Sequence, residues 1–145
     1  MSHRLVPGLA VTAIAIFAGG IAADAATSGK LTATLSGSKE IGGGAPGGKG
    51  TFSATFKSGQ VCYTLKFSKL PSPVAAHIHK GTAKQNGNIV VDLKPKFAGG
   101  KAAAKCVPIK ASLATAIQKK ASGYYVNIHT QKFPAGAARG QLTFK

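Results

Sequence analysis

The chain has 145 residues, with 19 Lys+Arg against 3 Asp+Glu for a net charge of +16, and it contains no tryptophan and two cysteines. So few carboxylates argue against paired-acid glycosidase chemistry, which needs two facing acids. The length allows one domain with a real core and argues against two.

The first residues read as an export signal, residues 1–25. His3 and Arg4 precede an apolar run from Leu9 to Ala18, and Ala23-Asp24-Ala25 offers small residues for cleavage. Pro7 and Gly8 interrupt the run and Gly19 and Gly20 end it, so a removed leader fits better than a membrane span. The expected domain is residues 26–145, which keeps 18 cationic and 2 acidic side chains and hence the same net +16. The expected location is secreted, periplasmic or cell-surface. Cys62 and Cys106 both fall in this domain, 44 positions apart, and in an oxidising compartment they are expected to form one structural disulfide.

Strand-like alternation then recurs along the chain. Residues 30–35 and 51–57 alternate polar and apolar side chains, and Ser58-Gly59 supplies a tight turn into residues 60–67, predicting a hairpin. Pro71 and Pro73 break the pattern before a strand at 75–79, a loop around Gln85-Asn86-Gly87 and a strand at 88–93. Further strands are predicted at 105–110, 123–129 and 140–145. One short helix is expected, capped by Ser112, with Leu113, Ala116, Ile117 and Ala121 on one stripe and Gly123 at its end. The glycine- and alanine-rich stretches 42–50 and 98–104 read as mobile surface connections. Many short strands without alternating helices predict an all-β fold, an antiparallel immunoglobulin-like β-sandwich or barrel with one short helix.

Every histidine except His3 lies in two segments, Ala76-His77-Ile78-His79-Lys80-Gly81 and Tyr124-Tyr125-Val126-Asn127-Ile128-His129-Thr130. In a strand, alternation turns Ile78, Val126 and Ile128 to one face and His77, His79 and His129 to the other.

These segments, with Leu31-Thr32-Ala33-Thr34-Leu35-Ser36-Gly37, Glu40, Asn86-Gly87, Pro134-Ala135-Gly136 and Arg139-Gly140-Gln141-Leu142, resemble the CHRD (chordin-type) domain. The resemblance covers essentially all of residues 31–142 and suggests an exported, bacterial-type, single-domain member. It implies an immunoglobulin-like β module without an established enzymatic activity. One departure stands out. Ala137-Ala138 precede Arg139 where the family has an acidic and then an aliphatic residue, so a local carboxylate for Arg139 is missing.

His77, His79 and His129 have the ligand type and spacing to hold copper or zinc if their strands meet. The other reading has His77 and His129 tying loops to backbone, with His79 exposed. Copper–zinc superoxide dismutase is also a β-sandwich with a His-x-His pair, but three histidines with Glu40 and Asp92 cannot supply a bimetallic ligand set, so dismutase activity is rejected. Arg139 reads as either an anion contact or a structural donor to loop carbonyls, and the turn-rich run around it favours structure.

Residues 43–49 mimic a phosphate loop, but Gly50 stands where a magnesium-binding hydroxyl belongs. No hydrolytic triad is legible, and no catalytic residue is assigned. The cationic charge favours an anionic partner such as a cell-envelope polymer, a polysaccharide or a lipid surface. With Arg139 as the domain's lone arginine, specific nucleic-acid recognition is disfavoured. The reading that results is a non-enzymatic surface-associated binding module, with a metal-binding or metal-dependent redox protein as the alternative.

Overall fold

The computed structural model describes residues 29–145, so the leader expected at residues 1–25 lies outside the described residues. Ten strands form one antiparallel sheet curled into a half-barrel. They are β1 (Leu31–Ser36), β2 (Lys49–Lys57), β3 (Gln60–Ser68), β4 (Pro73–Lys80) and β5 (Ile89–Asp92). β6 (Phe97–Ala98), β7 (Lys101–Pro108), β8 (Tyr124–Thr130), β9 (Ala138–Gln141) and β10 (Thr143–Phe144) complete the sheet, with α1 (Ala111–Lys119) between β7 and β8. The spatial order is β5-β4-β8-β9-β1-β2-β3-β7-β6, and β10 pairs with β1. No helix among the described residues is long and apolar enough to cross a membrane.

Period-two alternation decides which side chains meet inside. Leu31 and Leu35 on β1, Val61 and Leu65 on β3, Ile78 on β4 and Val126 and Ile128 on β8 are fully buried in the core. The β2–β3 hairpin turns at Ser58-Gly59, both with positive φ (49° and 74°), the geometry of a two-residue hairpin turn that matches strand twist. Cys62 and Cys106 stand directly opposite each other on β3 and β7, with Cα atoms 3.9 Å apart, and form the expected disulfide.

Several local expectations are corrected. Residues 98–104 are not a loose connection: Gly99 and Gly100, both with positive φ, turn the chain between β6 and β7, and Ala102 is buried on β7. The stretch 42–50 is not wholly at the surface either, since Ala45 is buried and its N–H bonds the Ala137 carbonyl. Ser112 lies inside the first turn of α1. Lys110 holds the cap position without a side-chain hydrogen bond, and the helix is anchored instead by Ile117, which has no exposed surface. Gly123 ends a following 3-10 turn, Ala121–Gly123. The last predicted strand is two, β9 and β10.

Candidate metal centre

The outer faces of β4, β8 and β9 carry a row of polar side chains. β4 pairs with β8 so that His79 faces Tyr125, His77 faces Asn127 and Ala75 faces His129. β9 adds Gln141 beside Tyr125 and Arg139 beside Asn127. Partners in an antiparallel pair share a face, so register brings the histidines of two distant segments together.

One ring nitrogen from each of His77, His79 and His129 lies within 4.8 Å of the others. His77 Nδ1 and His129 Nε2 are 3.0 Å apart. The outward nitrogens fix the tautomers. His79 Nδ1 donates to the Gly87 carbonyl at 2.8 Å, and His129 Nδ1 donates to the Pro134 carbonyl at 2.8 Å. A carbonyl can only accept, so each ring carries its proton on Nδ1 and keeps a bare lone pair on Nε2. His77 Nδ1 then donates to His129 Nε2, while His77 Nε2 faces Asp92 Oδ1 at 3.9 Å. Burial lowers the pKa of His77 and of His79, favouring neutral rings. For His77 the neighbouring His129 adds to the lowering, while Asp92 opposes it.

His79 is 7% exposed and therefore not the exposed residue of the structural reading. It stacks on Tyr125, with ring centres 4.8 Å apart and planes 6° from parallel. The Arg139 guanidinium covers Tyr125 at 3.6 Å. Arg139 itself is 1% exposed and donates to the Thr82 and Gln85 carbonyls and to Asn86 Oδ1. These bonds clamp the loop 81–88, whose Gly87 in turn orients His79.

Burial pushes the Glu40 carboxyl up to about 7, and the charge of Arg139 opposes that rise without an ion pair between the two. Gly44 and Gly136 close around it: a Cβ at Gly44 would stand 2.8 Å from Glu40 Cγ, and one at Gly136 would stand 2.6 Å from both carboxyl oxygens.

A family model, the CHRD domain, matches residues 31–142. The chain belongs to the CHRD domain family. No curated protein and no solved structure shows a detectable match to it. The matched span contains all three clustered histidines, the disulfide and Arg139, so these features sit in the CHRD domain itself. Asp92, Asn127 and Glu40 received no role from sequence. Asn127 was open to discovery, because it alternates with His129 on the same strand face. Asp92 was not, because only the β4–β5 register sets it opposite His77.

Proposed function

We propose that this CHRD domain binds a zinc or copper ion through His77, His79 and His129. The observation that carries the reading is the two-sided use of each ring: one nitrogen turns to a common centre and the other to Asp92, Gly87 or Pro134. Metal-ligating histidines have this outer support, which fixes the tautomer and raises ligand basicity. Nitrogens 2.0–2.1 Å from zinc at tetrahedral angles stand about 3.3 Å apart. The His77–His129 separation of 3.0 Å is already near that spacing, and the 4.8 Å limit on the cluster leaves small ring rotations to close it. With metal at the centre, His77 carries its proton on Nε2, towards Asp92. Elemental analysis of the purified domain and titration of zinc and copper into stripped protein test the proposal. Stoichiometric uptake lost in a His77→Ala/His129→Ala variant supports it; no uptake at neutral pH by the parent domain overturns it.

A second reading rests on a separate observation. Of the lysines in residues 29–145, all but Lys105 are exposed, while Glu40 is buried and Asp92 is the one exposed acidic side chain. We infer that this surface draws the domain to an anionic cell-envelope polymer, polysaccharide or lipid surface by long-range attraction. The leader-like residues and the disulfide support a site of action outside the cytoplasm. Salt separates the two readings: it weakens polymer attachment within a Debye length of about 10 Å at 0.1 M, whereas a chelator acts on the histidine centre alone.

A further inference from the structure

Three buried side-chain atoms among the described residues have no hydrogen-bond partner: His79 Nε2, Asn127 Oδ1 and Glu40 Oε1. Two of them share one sheet face: Asn127 stands opposite His77 on the β4–β8 ladder, diagonal to His79. Buried polar atoms are rarely left unpaired, so two acceptors side by side on one face mark a missing occupant.

Chemistry selects the kind of occupant. His79 Nε2 is a bare lone pair, because the ring proton is committed to Gly87. Asn127 Oδ1 can only accept, so it and His79 Nε2 are two buried acceptors that no donor reaches. Asn127 is 2% exposed, and its position opposite His77 places it beside the cluster on the same sheet face. Adjacent unpaired acceptors on one face are satisfied together by a Lewis acid.

We propose that Asn127 Oδ1 is the fourth protein donor of the three-histidine centre. The inference rests on the metal-binding reading and adds a neutral oxygen to three imidazoles. That donor set suits a borderline divalent ion such as zinc, copper(II) or cobalt(II) better than soft copper(I).

Cobalt(II) is the probe, because its visible spectrum reports coordination number and donor type. The parent domain, an Asn127→Ala variant and an Asn127→Asp variant are titrated with cobalt and then with competing zinc. Asn127→Ala is expected to lose affinity by about 10–100-fold, the range for groups that support a metal site, and to alter the cobalt bands. Asn127→Asp, which keeps an oxygen at the same reach, is expected to bind at least as tightly as the parent, with shifted bands. Parent-like affinity and spectrum in Asn127→Ala overturn the inference while leaving the three-histidine reading standing. Tighter binding by Asn127→Ala also overturns it, since it would show an amide turned over to block His79 Nε2. If Asn127→Ala does not fold, Asn127→Asp decides alone, and an unchanged spectrum counts against the proposal. Failure of the parent domain to take up cobalt or zinc removes both readings at once.

Discussion

Glu40 and the histidines respond to pH in opposite directions. The Glu40 pKa is raised from 4.5 to about 7, so the folded chain holds its proton longer than the unfolded chain. Its contribution to stability therefore falls as pH rises from about 4.5 to 7. The His77 and His79 pKa values are lowered from 6.5, so the unfolded chain binds protons first and stability falls as pH drops below that value. In metal-free protein the two trends offset each other between pH 5 and 7. A Glu40→Gln variant is expected to gain stability steadily with rising pH across this window, read as the urea midpoint at pH 5, 6 and 7. A flat or falling midpoint would contradict the assignment. Gly136 has a more direct role: its φ of 148° and the absence of a Cβ make room for the Glu40 carboxyl. Gly136→Ala is expected to cost about 1–3 kcal/mol in denaturant unfolding, the range for overpacking a filled site. The facing of the histidines was legible from alternation alone. The effect of Arg139 on Glu40 was not, since it links residues 99 positions apart in sequence.

At the level of elements, the loop 81–88 is held by one side chain from another strand. Arg139 gives it three hydrogen bonds, from two nitrogens of a planar fork. Lysine has one nitrogen and cannot reproduce that geometry. Arg139→Lys is expected to raise amide hydrogen exchange at residues 82–87 while leaving β1–β3 protected; equal protection in both proteins would show that the clamp is redundant. The disulfide joins facing residues of β3 and β7 rather than distant layers. Its loop of 44 residues sets an entropic contribution of up to about 4 kcal/mol, and Cys62→Ser/Cys106→Ser is expected to unfold at lower denaturant by that amount or less. Strand positions were readable where polar and apolar residues alternate, as in β2 and β3. Reading failed at residues 98–104, where small residues hid a turn and the start of β7, because alanine and glycine give a weak periodic signal.

Across the whole molecule, the curled sheet separates two environments. One face is an apolar core, and the other gathers histidine, tyrosine, asparagine and arginine side chains beneath loops. The all-β class follows from strand number and turn spacing, but which strands become neighbours is a long-range result. β9 enters between β8 and β1, and that placement delivers Arg139 to the site. The lysine-covered exterior carries its own expectation. The domain should be retained on an immobilised anionic polysaccharide at low salt and elute as salt rises, with the same profile in His77→Ala/His129→Ala protein; salt-independent passage would remove the electrostatic reading. The strand order has one further consequence. The sheet ends at β5 and β6, of four and two residues, so neither end strand presents a long run of unpaired backbone. A long, flat edge is a template on which a second chain can add as a new strand and begin a fibril. Neither end strand is such a template, and the like-charged molecules repel one another as well. A concentrated solution should therefore resist growth of ordered aggregates from the native state.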